Sequence, residues 1–189
     1  MMTSTHAVAG ATLGTGVAAF APELGAPAVL AGFVGGALPD LDLLATHRRT
    51  THYPVVGTIA ALGVTGVALA VGTTGALLVA VGALAAALHV LMDVFGGGVE
   101  PAPWRATSDR GVYDHVAGRW IPPRRWVRYA GAPEDLLLSV GLAVPALAAT
   151  AGPVRGLLLA TLACSTGFSI VRRRLAAISA RMLDEPARV

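Results

Sequence analysis

Histidine and aspartate bring imidazole nitrogen and carboxylate oxygen to first-row metal ions, and in this chain they occur in groups. All five histidines and several aspartates fall in short polar clusters at the ends of apolar segments. The clusters are Thr5-His6, Pro39-Asp40-Leu41-Asp42, His47-Arg48-Arg49-Thr50-Thr51-His52, His89-Val90-Leu91-Met92-Asp93 and, more loosely, Tyr113-Asp114-His115. His89 and Asp93 lie four residues apart at the end of an apolar helix, which sets both side chains on one face. A histidine hydrogen-bonded to a helix-end aspartate has the same spacing, but ionisable groups at a membrane segment are usually functional. Asp40 and Asp42 face the same way in extended backbone and can hold one metal or bridge two. An ordinary Pro-Asp turn with helix capping is the alternative. His47 and His52 flank two arginines whose planar forks suit a phosphate oxygen, although a basic loop with incidental histidines reads equally well. Taken together, the clusters point to a metal site, provided one topology puts them on one side.

The elements that must position them are membrane helices. Of 189 residues, 54% are hydrophobic and 13% charged, with a mean hydropathy of +0.66; a soluble domain carries about twice that charged fraction. The length fits one integral-membrane domain over residues 1–189. Four stretches, Pro54–Gly72, Thr74–Met92, Asp135–Gly152 and Val154–Val171, approach the roughly 20 apolar residues of a helical span. Two shorter stretches rich in Gly and Ala, Ala7–Phe20 and Ala26–Leu38, read as short tilted helices or a re-entrant hairpin. Backbone groups in lipid must be paired internally, so all six are expected to be helical. The expected fold class is therefore all-α: a polytopic membrane helix bundle with about four full spans plus two short N-terminal membrane helices. Glycines such as Gly57, Gly63, Gly66 and Gly82 suit close helix packing.

Polar segments at 39–53 and 94–134 interrupt the apolar runs, and a basic tail follows over 172–189. With six membrane segments, the amino terminus, both polar segments and the tail share one side. That side gathers every arginine except Arg155, so it is expected to be cytoplasmic, in an inner or plasma membrane. The same parity brings His6, Asp40, Asp42, His47, His52, His89 and Asp93 to the cytoplasmic face. The first arginine is Arg48, so the basic n-region of a signal peptide is not expected. The single cysteine, Cys164, rules out a disulfide framework or a thiolate metal site. Arginines outside the apolar stretches favour membrane lipid as a partner and no nucleic acid. Within 94–134, the residues from Ser108 to Arg128 read as a lid or as a surface for anionic headgroups. Glu134 and Asp135 read as charges at a helix start, with a ligand role as the lesser alternative.

The order and content of these motifs resemble the YdjM-like family of inner-membrane-associated, metal-dependent hydrolases, some of them under LexA control. The likeness covers about residues 3–140. It rests on Thr5-His6 with Gly10, on Gly-x-Leu-Pro-Asp-x-Asp from Gly36 to Asp42, on His-Arg-x-x-Thr-His from His47 to His52, and on His-x-x-x-Asp from His89 to Asp93. Pro103-Trp104 and Ser108-Asp109-Arg110 are similar to the family's segment after that helix. The chain departs from the pattern at Tyr53, where many relatives have serine, and at Val94-Phe95-Gly96-Gly97-Gly98, where a threonine-containing turn is more usual. Both departures bear on substrate contacts more than on metal ligands. The resemblance implies a hydrolase class and no substrate. A fainter likeness to zinc-dependent phospholipase C proteins, in histidines and aspartates carried on helices, points by analogy to phosphoester chemistry.

The expectation is a membrane-embedded, metal-dependent hydrolase whose site opens at the cytoplasmic interface and acts on a small-molecule or lipid phosphoester. His6, Asp40, Asp42, His47, His52, His89 and Asp93 would supply the metal ligands. Asp42, Arg48 and His52 would carry the catalysis, with a general base among the ligand set and Arg48 or Arg49 stabilising developing negative charge. A divalent ion, zinc or manganese, in one copy or two, suits mixed nitrogen and oxygen ligands. Two rivals remain: a non-catalytic scaffold or lipid-binding protein, and an ion-coupled transporter, whose charged groups would sit nearer the bilayer midplane.

Overall fold

The computed structural model describes residues 1–184, with side chains as far as Ile178; the last five residues of the basic tail lie outside the described residues. Its helices are α1 (Thr3–Phe20), α2 (Gly25–Ala37), α3 (Val56–Val71), α4 (Thr74–Val94), α5 (Pro133–Ala149) and α6 (Gly152–Asp184). Short 3₁₀ turns at Pro22–Leu24 and Leu38–Leu44 flank α2. Local chemistry sets several boundaries. Thr73 caps α4 by accepting the Ala76 N–H. Gly72 ends α3 in the left-handed conformation, φ +68°, which glycine adopts without a Cβ penalty. Pro133 opens α5, with Glu134 and Asp135 in its first turn.

Helix α1 is central, packing against α2, α4, α5 and α6, while α3 packs on α4. The α1–α2 pair is a backbone contact. A Cβ on Gly10 would overlap the Gly32 carbonyl, and one on Gly36 would overlap the carbonyl of His6. Only glycine allows this approach, and it brings the first turn of α1 against the turn that carries Asp40. Ala11, Val29, Ala146 and Leu158 form a small apolar core between α1, α2, α5 and α6.

Three segments are long and apolar enough to cross a membrane: Pro22–Leu44, Thr74–Val94 and Gly152–Ile178. This differs from the expected four full spans and two short helices. Helix α3 has 16 residues, a rise of about 24 Å against a hydrocarbon core of about 30 Å. Helix α5 has 17 residues with Pro145 inside it. The stretch expected at 26–38 merges with its flanking turns into an element of 23 residues. The outward faces remain apolar: Ile59, Leu62 and Val67 on α3, Leu137 on α5, and Leu159 and Ile170 on α6 are all exposed.

The 94–134 segment adds the one departure from an all-helical fold among the described residues, a small antiparallel hairpin of β1 (Val112–Asp114) and β2 (Arg119–Ile121). Asp114 Oδ1 accepts the N–H groups of Val116 and Ala117 at 2.9 and 3.1 Å, and Gly118 takes φ +63°; these are turn-forming contacts. The hairpin braces the 38–53 segment. Tyr113 N–H donates to the Arg48 carbonyl at 3.0 Å, and the Arg49 guanidinium lies 4.4 Å from the Tyr113 ring centre.

Candidate metal centre

The segment between α2 and α3 is folded around one carboxylate. Asp42 accepts His47 Nδ1 at 2.9 Å on Oδ1, and His52 Nδ1 at 2.8 Å on Oδ2. The backbone N–H of Arg49 adds a third contact at 3.2 Å. Thr51 Oγ1 donates to the Pro39 carbonyl and closes the loop. Arg48 sits at φ +59°, a left-handed conformation costly for a side-chain-bearing residue. That turn places its guanidinium inside the protein, where Nη1 donates to Gly97 O and Nη2 lies 3.2 Å from Asp93 Oδ1.

Four side chains from this segment and α4 meet beside it. Asp40, His52, His89 and Asp93 each offer one ligand atom, all within 4.8 Å of one another. His52 Nε2 lies 3.2 Å from His89 Nε2. Asp93 Oδ2 lies 3.3 Å from His52 Nε2 and 3.6 Å from His89 Nε2. Asp40 Oδ1 lies 3.4 Å from His89 Nε2 and 3.9 Å from His52 Nε2. With metal–ligand bonds of about 2.0–2.1 Å, the edges of a coordination tetrahedron are about 3.4 Å. The five separations scatter around that length, so the four atoms surround a volume the size of a first-row divalent cation.

The histidine tautomers agree with this. His89 Nδ1 donates to the carbonyl of Gly36 at 2.6 Å; a carbonyl only accepts, so Nδ1 carries the hydrogen and neutral His89 presents a lone pair at Nε2. Asp42 orients His52 in the same sense. Carboxylate and carbonyl partners behind the ring are the usual support of metal-binding histidines. Two imidazole lone pairs facing each other at 3.2 Å repel unless a proton or a cation lies between them. One shared proton serves two of the four atoms; a metal ion serves all four. Charge points the same way. His52 and His89 are fully buried, and Asp40, Asp42 and Asp93 are at most 7% exposed. The three carboxylates face Arg48 and the Met1 nitrogen, which is 2.7 Å from Asp93 Oδ1, and imidazoles to which a proton or a metal ion can bring the remaining countercharge. Buried charge needs compensation, and a cation supplies it.

The remaining expected ligands take other places. His6 Nε2 lies 3.1 Å from Asp93 Oδ1, and its ring stacks on His89 with centres 3.7 Å apart, so it supports both residues from behind. Its Nδ1 is buried with no hydrogen-bond partner among the described residues. Asp42 stands behind His52. Asp42 and His47 also form, with Asp40, a second group of ligand-bearing atoms, and His47 is the more accessible, its side chain 32% exposed. His115 lies apart, stacked on Tyr53.

Thr3 was not singled out in the sequence, and Gly36 and Asp135 take supporting roles that it did not show. Thr3 Oγ1 donates to Asp40 Oδ2 at 2.5 Å. Gly36 matters through its carbonyl, which no residue type signals. Asp135, expected as a helix-start charge, is fully buried and accepts Met2 N–H and Thr5 Oγ1, each at 2.8 Å, fastening α1 to α5. Its burial would have been legible only with the partner known.

A cavity of about 610 Å³ adjoins the cluster; Asp40, His47 and Arg48 line it together with apolar residues that include Leu43, Val99 and Phe168. The arrangement can hold a divalent cation in a buried N₂O₂ set and present it beside a partly apolar chamber. No family model, curated protein or solved structure matches the chain.

Proposed function

We propose that this chain is a membrane-embedded, metal-dependent hydrolase of phosphoesters, with Asp40, His52, His89 and Asp93 as the metal ligands. The observation that carries the reading is the convergence of those four buried ligand atoms, all within 4.8 Å of one another, beside a cavity lined by Arg48. Zinc or manganese fits two imidazoles with two carboxylates. The motifs that supply these residues are the ones shared with the YdjM-like family, and in this reading the chain is a member. Three apolar segments of spanning length and the one-sided distribution of arginine support a multi-pass placement in the inner or plasma membrane. With α1, α3 and α5 crossing as shorter segments between these three, the six crossings leave both termini and the site on the cytoplasmic side.

When bound, the ion supplies Lewis-acid polarisation and a more acidic water. The protein's own groups do the rest. Asp42 holds His52, and the Gly36 carbonyl holds His89, each with Nε2 aimed inward. Arg48 and His6 orient Asp93 through Oδ1. Arg48 lines the cavity and brings positive charge to the place where a phosphoryl oxygen gains negative charge. His47, tied to Asp42 through Nδ1 and lining the same cavity, has Nε2 left to accept a proton, the geometry of a carboxylate-oriented general base. One water is consumed per ester: its oxygen bonds to phosphorus, one proton passes to His47 Nε2, and the P–O bond to the leaving alcohol breaks as that alcohol takes up the proton released by His47. Here His52 is a ligand and Asp42 its support, and the proton-accepting role falls to His47.

The test is hydrolysis of bis(p-nitrophenyl) phosphate by detergent-purified protein, stripped with chelator and then reloaded with zinc or manganese. Turnover is expected only after reloading, with none above background in His89→Ala or Asp40→Asn. Turnover that survives chelation, or persists in both variants, would overturn the assignment.

A further inference from the structure

The cavity beside the metal cluster has two unlike kinds of wall. Asp40, His47 and Arg48 border it from the cluster, whereas Leu43 and Phe168 give it apolar surface. Phe168 belongs to α6, within the Gly152–Ile178 stretch that is long and apolar enough to cross a membrane. Leu43 is 63% exposed, and Cys164, another lining residue on α6, is exposed too. The chamber is thus bordered by outward-facing residues of a candidate membrane helix. Arg172, one turn beyond Phe168, lines the same chamber and begins the arginine run 172–174, where cations meet headgroups.

The polar groups in this chamber have spare capacity. Arg48 is 4% exposed, and its Nε has no hydrogen-bond partner among the described residues. Glu100, also a lining residue, accepts the Ser108 N–H on Oε1 at 3.3 Å, while its buried Oε2 has no partner among the described residues. Buried polar atoms are normally satisfied, so these two leave unspent donor and acceptor capacity on residues that line the chamber. A water-soluble ester would leave the apolar walls against water. An amphiphile with a phosphate, a donor-bearing head and hydrocarbon chains satisfies every wall.

We propose that the substrate is a bilayer phosphodiester lipid that enters the chamber sideways along α6. Arg48 and Arg172 take its phosphate, Glu100 a hydroxyl or ammonium of its head, and Leu43 and Phe168 the start of its chains. This rests on the hydrolase reading and narrows its substrate. The chemistry is the same hydrolysis: one water adds to phosphorus, and one P–O bond to an alcohol of the lipid breaks.

Two readouts test it. Native mass spectrometry of the metal-free full chain in detergent, supplied with phosphatidylglycerol, is expected to find one lipid retained per chain, and less in Phe168→Ser and Arg172→Gln. The metal-loaded chain is expected to hydrolyse phosphatidylglycerol in phosphatidylcholine vesicles at least tenfold faster than bis(p-nitrophenyl) phosphate at equal concentration, with that ratio lowered in both variants. Cleavage of the soluble diester at an equal or higher rate, with no lipid retained, overturns the lipid assignment and leaves the hydrolase reading standing. Cleavage of neither compound by chain that holds its metal overturns both.

Discussion

His52 and His89 approach one another through their Nε2 atoms because each ring is held from behind, one by a carboxylate and the other by a backbone carbonyl. Those supports make distinct predictions. Asp42→Asn keeps the volume but removes the charge behind His52, so metal affinity should fall about 10–100-fold, read by competition with a chromogenic chelator. His47→Ala should leave metal content intact while lowering turnover on the order of 100-fold or more; loss of the ion in that variant would return His47 to the ligand set. The candidate residues themselves were legible in the sequence, but their division of labour was not. Extended backbone was expected to point Asp40 and Asp42 the same way. They lie instead in the 3₁₀ turn Leu38–Leu44, where side chains two residues apart point about 120° away from one another. Asp40 therefore reaches the cluster, and Asp42 turns to the histidines behind it.

The centre is assembled from elements that are far apart in sequence, and glycine is what lets them close. Gly36 faces the His6 carbonyl across the α1–α2 contact, and its own carbonyl holds His89. Gly36→Ala should cost about 1–3 kcal/mol by overpacking and weaken metal binding as well. Thermal unfolding in detergent, run with and without the ion, separates the two effects. If Gly36→Ala unfolds and binds like the wild type, this contact does not position the site. Close packing by small residues was foreseeable from composition, but not where it acts. Gly82, as expected, lies in a close contact, opposite Gly35 of α2, but Gly63 and Gly66 have open space where a Cβ would stand, and Gly10, Gly32 and Gly36 carry the α1–α2 approach. Composition counts small residues, and only the pairing of helices shows which of them are needed. The hairpin in the 94–134 segment was likewise hidden, because its strands are three residues each, too short for alternation to register.

At the scale of the molecule, the apolar helices place the polar clusters at one end of the bundle, where Arg48 and Arg172 line the cavity and Arg49 meets Tyr113. Parity, more than the count of full spans, is what the chemistry depends on. In a Cys164→Ser background, Val116→Cys in the hairpin turn should react with a membrane-impermeant maleimide only after cells are opened, and Thr74→Cys at the start of α4 should react in intact cells. Labelling of both from the same side would break the parity on which the cytoplasmic placement rests. The helical, apolar character of the chain was plain from its composition. The number of crossings was not, because α3 and α5 are shorter than a span and the turns around Pro22 and Pro39 lengthen α2 into one. The central claim is that the buried quartet binds a metal ion. It is tested most directly by elemental mass spectrometry and X-ray absorption on detergent-purified protein after repletion, with His89→Ala and Asp40→Ala alongside. Stoichiometric zinc or manganese is expected in the wild type, in a shell of two imidazole nitrogens and two carboxylate oxygens, and none in either variant. A wild type that stays metal-free after repletion, or variants that keep the ion, would contradict it.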